Sequence, residues 1–227
     1  MSETHHGAED GLIDTIILDV DGTLVDSVYQ HVAAWQSAFH DVGLQVPAAE
    51  VHRAVGLGAD RIVSHLAGDS AEWAVGDEVR KAHDAHFTDL LPHVRELPGV
   101  SPLLEWLAQR HTLVVATSGG AEMTESLLAM VEARSVIREV VAGSEVAHTK
   151  PAPDLIDTAM QRVGSTNALV LGDSVWDAHS AAASGVPCIG LCCGGTDEAV
   201  LRGAGAGWVF HDPQDLLNQR AHSPLGR

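Results

Sequence analysis

Short apolar runs alternate with stretches of helical periodicity along this chain, and this alternation limits the fold more than any other feature of the sequence. Six runs have the length and composition of strands, at residues 13–19, 113–117, 136–142, 168–172, 188–191 and 207–210. Strands that are apolar on both faces are typical of parallel sheets covered by helices, and right-handed crossovers connect such strands. The sequence therefore predicts a doubly wound α/β fold.

One interval interrupts the alternation, because residues 20–112 contain no run typical of a buried strand. Apolar residues recur there at helical spacing, first at Val28, Val32, Trp35, Phe39 and Val42. Further helical patterns cover residues 48–66 and 71–91, with a turn signal at residues 56–58. We predict a small helical cap domain at residues 27–91, inserted after the first strand of a Rossmann-like catalytic core (residues 1–26 and 92–227). An insertion there lies at the carboxyl end of the sheet, where ligands bind in such folds.

The charge of the chain restricts its partners. Thirteen basic and thirty-one acidic residues give a formal net charge of −18, which repels phosphate backbones and anionic membranes. The apolar runs are shorter than the ~20 residues of a membrane-spanning helix, and the polar N-terminus lacks the layout of a secretory signal. We therefore expect a cytoplasmic protein that binds neither nucleic acid nor membrane.

The three cysteines, Cys188, Cys192 and Cys193, are expected to be reduced thiols. Their number is odd, and two of them are adjacent in the sequence, which disfavours an unstrained disulfide. Their role cannot be read from the sequence, and nothing in it indicates an oligomeric state.

The strongest chemical signal is the segment Asp19-Val20-Asp21-Gly22-Thr23-Leu24 at the end of the first predicted strand. Gly22 lets the backbone turn sharply after the two aspartates, so that both carboxyl groups crowd into one cleft. Crowded carboxylates repel each other unless a cation neutralises them, and Mg²⁺ is a hard ion that prefers oxygen ligands. A plain turn with solvated acids is the alternative interpretation.

A second strand end repeats this layout in Gly172-Asp173-Ser174-Val175-Trp176-Asp177. Acids at the carboxyl ends of two parallel strands can meet at the switch point of the sheet. We expect Asp173 to bind the metal directly, and Asp177 to bind through water or to orient a neighbour. Capping of the following helix is the alternative role for Ser174 and Asp177.

Phosphoryl transfer also needs cations and hydrogen-bond donors around the equatorial oxygens of the phosphoryl group. Lys150 lies in the proline-rich segment 150–154, and Thr117 and Ser118 end the second predicted strand just before a helix. Hydroxyl and backbone N–H groups at a helix start can hold a phosphate. A solvated loop lysine and a simple N-cap residue are the corresponding alternatives.

Together, these segments resemble those of the haloacid dehalogenase superfamily, in the helical-cap branch of phosphoglycolate phosphatases and β-phosphoglucomutase-like enzymes. The four matching segments occur in the order of the family, at residues 19–27, 116–119, 150–154 and 172–177. The resemblance extends from about residue 13 to residue 217.

The resemblance implies a Mg²⁺-dependent phosphatase that acts on a small phosphorylated metabolite, such as a sugar phosphate or phosphoglycolate. It implies that Asp19 is the nucleophile that forms an aspartyl-phosphate, and that Asp21 protonates the leaving oxygen and then activates water. Thr117 and Lys150 would bind the phosphoryl group, and Lys150 would also steady Asp19. The implied metal ligands are Asp19, the backbone carbonyl of Asp21 and Asp173, with support from Asp177.

A cap histidine raises an alternative reaction. His31 resembles a substrate-binding histidine of the β-phosphoglucomutase-like branch, which makes a phosphosugar mutase the alternative, whereas a partly exposed helix position is its structural interpretation. Ala59 stands where the mutase cap carries an arginine for the second phosphate, and this weakens the mutase interpretation unless Arg61 reaches the same place. The roles of the other cap histidines cannot be read from the sequence: His83, His86 and His93.

Three other functions remain open at this stage. Dehalogenation occurs in the same fold, but it does not need the acid at Asp21. Phosphonate cleavage would need a cap lysine that forms a Schiff base, and Lys81 is the only lysine of the predicted cap. A non-catalytic module that binds a phosphorylated metabolite would leave several carboxylates unpaired, which is costly.

Overall fold

The structure, a computed structural model, describes residues 12–226, so the outer domain limits at residues 1 and 227 lie outside the described residues. A parallel sheet forms its centre, and all neighbouring strands in it are parallel. Its six strands are β1 (Thr15–Leu18), β2 (Thr112–Ala116), β3 (Ile137–Val141), β4 (Ala168–Gly172), β5 (Cys188–Leu191) and β6 (Trp208–Phe210). The prediction of a doubly wound α/β fold is confirmed, and the strand ends differ from the predicted ones by at most two residues.

The switch point of the sheet lies between β1 and β4. The spatial order is β3-β2-β1-β4-β5-β6, so the chain moves outward first in one direction and then in the other. The Asp19 amide donates to the Leu171 carbonyl at 3.0 Å, which keeps the ends of the two strands together. Gly22 follows with a φ of 76°, and a Cβ at this position would lie 2.4 Å from Asp173 Oδ2. Only glycine fits this turn, and the two acidic loops are thereby pressed together.

Helices cover both faces of the sheet. Side chains alternate along β1, so that Ile16 and Leu18 enter one hydrophobic cluster and Ile17 enters another. The described residues contain ten α-helices: α1 (Val28–Asp41), α2 (Ala48–Ala54), α3 (Ala59–Ala67), α4 (Asp69–Leu90), α5 (Val100–Leu107), α6 (Ala121–Leu128), α7 (Asp154–Val163), α8 (Val175–Ala183), α9 (Glu198–Ala204) and α10 (Pro213–Asn218). None of these helices is both long enough and apolar enough to cross a membrane.

The first four helices have a hydrophobic core of their own. Their buried cluster includes Trp35, Phe39, Val51, Ile62 and Val79, from four different helices. The helical pattern at residues 48–66 is divided into α2 and α3 by the predicted turn at residues 56–58. This helical unit is called the cap below, and the exact domain limits at residues 26/27 and 91/92 stay a prediction.

Candidate active site

Three buried carboxylates and one buried lysine meet at the carboxyl ends of β1 and β4. Asp19 follows β1, Asp173 follows β4, and Asp177 lies in the first turn of α8. One carboxylate oxygen from each acid lies within 4.8 Å of the other two. Lys150 Nζ forms an ion pair with Asp19 Oδ1 and another, at 2.7 Å, with Asp177 Oδ1. Lys150 is only 2% exposed, so water cannot replace these partners.

The charges of this cluster are unbalanced, because three acids face one cation. Burial raises the pKa of Asp19 to about 7, and repulsion from Asp177 and Asp21 adds to the rise against the attraction of Lys150. Burial, with repulsion from Asp177 and Asp19, also raises the pKa of Asp173 well above its ordinary value. A divalent cation would remove this repulsion, and an all-carboxylate set of oxygens suits Mg²⁺. The residues present therefore fit the predicted ion.

Hydrogen bonds from other side chains hold the carboxylates of Asp173 and Asp177 in place. Thr23 Oγ1 donates to Asp173 Oδ1 at 2.9 Å. Ser174 Oγ donates to Asp177 Oδ2 at 2.6 Å and accepts from the Asp177 amide at 3.3 Å, which forms the N-cap of α8. The capping interpretation of Ser174 and Asp177 is thus realised, but it does not exclude a role in the site, because Asp177 Oδ1 still pairs with Lys150.

Asp21 begins a chain of hydrogen-bonded side chains that enters the cap. Ser27 Oγ donates to Asp21 Oδ1 at 2.5 Å, and His31 Nε2 lies 3.0 Å from the same oxygen. His31 Nδ1 lies 3.0 Å from His83 Nε2, and His83 Nδ1 lies 3.0 Å from Asp84 Oδ1. Burial alone would raise the pKa of Asp21, but His31 and the Ser27 hydrogen bond outweigh it, so this pKa is lowered. His31 lies in α1 with its side chain 13% exposed, as its interpretation as a partly exposed helix residue requires, and its contact with Asp21 goes beyond that interpretation.

Aromatic rings hold the two histidines of this chain in place. The His31 ring stacks on Phe87 with centroids 3.8 Å apart, and the His83 ring stacks on Trp35 at 3.9 Å. His83 is 7% exposed, and burial lowers its pKa to about 4 despite the hydrogen bond to Asp84. His83 is therefore neutral near pH 7.

Replacement of His83 by phenylalanine is expected to remove part of the acid sensitivity of the fold. The unfolded chain binds a proton at a histidine below about pH 6.5, whereas folded His83 stays neutral down to about pH 4. His83 therefore favours unfolding as the pH falls through this window, by up to about 3 kcal/mol. Urea unfolding of the wild type and of His83→Phe between these pH values measures the difference. Equal pH slopes would contradict this account, and His86→Phe, on the surface of the same helix, serves as the control.

A cavity of about 70 Å³, partly open to solvent, lies between the carboxylate cluster and the cap. The core contributes two acids and the loop after β2, and the cap contributes mainly apolar side chains. The lining residues are Asp19, Asp21, His31, Trp35, Val55, Gly56, Leu57, Ala59, Ile62, His83, Thr117, Ser118 and Gly119. Of the residues predicted for the site, Asp19, Asp21, His31, Thr117 and Ser118 line this cavity. Lys150 and Asp177 do not line it but are joined to Asp19 through the Lys150 ion pairs, and Asp173 lines a neighbouring pocket.

The loop after β2 differs from a simple helix start. Helix α6 begins at Ala121 with Gly120 as its N-cap, so neither Thr117 nor Ser118 caps it. Thr117 Oγ1 accepts from the Gly119 amide at 3.1 Å, and its own proton remains available to a ligand in the cavity. Ser118 Oγ donates to the Gly56 carbonyl of the cap at 3.1 Å, which is a contact that the sequence did not predict.

In addition to the contact between His31 and Asp21, four side-chain hydrogen bonds between residues distant in sequence join the cap to the core. Besides the Ser118 bond, Thr149 Oγ1 donates to Asp60 Oδ1 at 2.5 Å. On the other side of the site, Trp176 Nε1 donates to the Arg53 carbonyl at 3.1 Å, and His52 Nε2 donates to the Gly194 carbonyl at 2.9 Å. The structure therefore presents the cap in a closed position.

Other residues singled out in the sequence lie away from the cavity. His86 pairs with Asp41 at 2.7 Å on the cap surface, and His93 and Lys81 are exposed. The position of Lys81 gives no support to phosphonate cleavage through a Schiff base. All three cysteines are free thiols, and burial raises the pKa of Cys193, whose Sγ donates to the Gly22 carbonyl at 3.1 Å.

Known proteins are similar to this chain in sequence. The sequence profile described as haloacid dehalogenase-like hydrolase matches residues 16–191. The chain belongs to the haloacid dehalogenase-like hydrolases. A phosphoglycolate phosphatase of Pseudomonas putida is 31% identical over 89% of this chain and 78% of its own length. A fructose-1-phosphate phosphatase of Escherichia coli is 29% identical over 77% of this chain and 94% of its own length.

Solved structures with the same architecture are also known. A hydrolase from Pseudomonas syringae superposes with a TM-score of 0.87 at 32% identity, covering 92% of this chain and 98% of its own. A protein from Bacteroides vulgatus described as a β-phosphoglucomutase superposes with a TM-score of 0.81 at 21% identity, covering 97% of this chain and 92% of its own. At that identity the second likeness concerns the fold alone.

Proposed function

We propose that this hydrolase is a Mg²⁺-dependent phosphatase that cleaves a small phosphomonoester through an aspartyl-phosphate on Asp19. The position of Asp19 is the main support. Its carboxylate lines the cavity, is held by Lys150 and lies beside both the Thr117 loop and the second acid, Asp21. A nucleophile, an acid and a phosphate-binding loop at one small cavity are the parts that phosphoryl transfer requires.

In the first step, a carboxylate oxygen of Asp19 attacks phosphorus and the bond from phosphorus to the ester oxygen breaks. The phosphoryl group bound beside Asp21 would raise the pKa of this carboxyl group, and the protonated form of Asp21 then donates its proton to the leaving oxygen, so that a neutral alcohol departs. Thr117 donates its hydroxyl proton to an equatorial oxygen, and Lys150 holds Asp19 in position while its charge offsets the charge of the phosphoryl group. In the second step, Asp21 removes a proton from water, which attacks phosphorus and releases inorganic phosphate from Asp19.

Asp19, Asp173 and the backbone carbonyl of Asp21 would hold Mg²⁺, with support from Asp177. When bound, the ion neutralises the carboxylates and the phosphoryl oxygens, which allows an anion to approach this acidic cluster. The imbalance of three acids and one lysine supports this assignment.

The relatives support a phosphorylated metabolite as the substrate, since two of them are described as phosphatases of phosphoglycolate and of fructose 1-phosphate. A cytoplasmic location is part of the same proposal. The phosphosugar mutase and the non-catalytic binding module are the alternatives, and both differ from a phosphatase in the amount of inorganic phosphate that they release.

Phosphate release by the wild-type protein tests the proposed function. We expect turnover of p-nitrophenyl phosphate and of several metabolite phosphates with Mg²⁺, and a loss of about a thousandfold or more after treatment with EDTA, reversed by added Mg²⁺. The specificity constants kcat/KM across the panel measure this. Isomerisation of a sugar phosphate without phosphate release would support the mutase instead, and binding without any turnover would support the binding module.

A further inference from the structure

In the proposed mechanism, the cap wall of the cavity would contact the part of the substrate that leaves. The transferred phosphoryl group must face Asp19 and Thr117, and the ester oxygen must face Asp21, if the proposed mechanism holds. The alcohol then extends toward the cap, where four apolar side chains form most of the wall: Trp35, Val55, Leu57 and Ile62. Such a surface favours carbon atoms over charged groups.

No lysine or arginine lines the cavity within the described part of the chain. Burial lowers the pKa of His83 to about 4, so this ring carries no charge near pH 7. His31 lines the cavity too, but its two nitrogens already contact Asp21 and His83. The wall therefore offers no free positive charge to a second anionic group of the substrate.

The cationic side chains near this wall are already paired with acids. Arg80 donates to the Ala59 carbonyl at 3.2 Å, but its guanidinium also contacts Glu72 at 2.9 Å and Asp77 at 2.8 Å. Arg61 is 45% exposed and lies 4.0 Å from the carboxylate of its neighbour Asp60. Neither arginine lines the cavity, so the α3 end of the wall presents no cation to it.

We propose that the leaving alcohol of the natural substrate is uncharged, with its carbon atoms against the apolar cap wall. This inference rests on the proposed phosphatase function and narrows it to esters of neutral alcohols. A carboxylate in the same place, as in phosphoglycolate, would lie against this apolar wall without a cationic partner, which is costly.

Two matched pairs of substrates test the inference with the wild-type protein at neutral pH and saturating Mg²⁺. In the first pair, 2-hydroxyethyl phosphate is compared with phosphoglycolate, and in the second, glycerol 3-phosphate with 3-phosphoglycerate. We expect kcat/KM to be at least about tenfold higher for the member of each pair that has no carboxylate, because a carboxylate at the cap wall would have no cationic partner. Equal kcat/KM values within each pair, or higher values for the substrates that carry a carboxylate, would overturn the inference while leaving the phosphatase function intact. A complete absence of phosphate release, even from p-nitrophenyl phosphate, would instead refute the proposed function.

A substitution at Ala59 tests the wall itself, because this residue lines the cavity and has a small side chain. Ala59→Arg adds a cation there, and we expect it to raise the ratio of kcat/KM for phosphoglycolate to that for 2-hydroxyethyl phosphate by about tenfold or more. Ala74→Arg is the matched control, since it adds the same charge at an exposed cap position outside the cavity. An equal effect of both variants would mean that overall charge, rather than the cavity wall, determines the preference, and would overturn the inference.

Discussion

Replacement of Asp19 by asparagine is expected to lower kcat by at least about four orders of magnitude for every phosphomonoester that the wild type hydrolyses. The amide has nearly the shape of the carboxylate, but it is a poor nucleophile and cannot form the aspartyl-phosphate. Phosphate release measures the loss. Rapid acid quenching with a ³²P-labelled substrate should, in addition, trap a phosphoenzyme in the wild type and none in the variant.

The loss of activity in Asp19→Asn should not come from unfolding of the variant. The substitution removes one of three crowded acids, whose pKa is raised to about 7 by burial and by repulsion from Asp177 and Asp21, and Lys150 keeps its ion pair with Asp177. We therefore expect the metal-free variant to be at least as stable as the wild type. Asp89→Asn, which makes the same change at an exposed cap position, should retain full activity. A residual rate within about tenfold of the wild type would rule out Asp19 as the nucleophile.

Replacement of Lys150 by methionine is expected to produce the largest loss of stability. Lys150 is the cation that Asp19 and Asp177 share, and all three side chains are nearly inaccessible to water. Removing one partner of a buried ion pair typically costs about 3–5 kcal/mol, which for a chain of this length lowers Tm by roughly 6–20 °C. Thermal unfolding without metal measures this loss, and Mg²⁺ should restore part of it by neutralising the acids.

The loss of stability in Lys150→Met should depend on pH. A carboxyl group whose pKa is raised in the folded state binds more protons there than in the unfolded chain, so stability falls as the pH rises toward the raised pKa. For Asp19 this window extends from about 3.8 to about 7 already in the wild type, and removal of the Lys150 charge should extend it upward. The variant should therefore be least stable at alkaline pH.

The control for Lys150→Met is Lys81→Met, because the chain has only these two lysines and Lys81 is exposed. This control should unfold like the wild type and hydrolyse phosphomonoesters at the same rate. Equal stabilities of both variants and the wild type would contradict the central place of Lys150 among the carboxylates.

The sheet and the acidic loops could be predicted because local sequence determines them. The strands β1 and β4 are apolar on both faces, and an aspartate follows each of them directly. Their position next to each other then follows from the switch point of a doubly wound sheet. Gly22 predicted the turn after the two aspartates, and its positive φ explains why a glycine is needed there.

Contacts between segments distant in sequence could not be predicted in the same way. Thr23 lies inside a segment that the sequence singled out, but its partner Asp173 is 150 residues away. His83 and His86 lie three residues apart and so share roughly one side of α4, yet one enters the cavity wall and the other pairs with Asp41 on the surface. Their difference depends on how α1 packs against α4, which single-sequence periodicity does not specify.

The hydrogen bonds that close the cap have a consequence for how this enzyme could diversify. Two of the four use main-chain carbonyls of the cap as acceptors, those of Arg53 and Gly56. A carbonyl is present whatever side chain its residue carries, so exchanging the exposed side chain at position 53 leaves that bond in place. A change of residue at this position can therefore alter the surface of the cap while this docking contact is inherited unchanged.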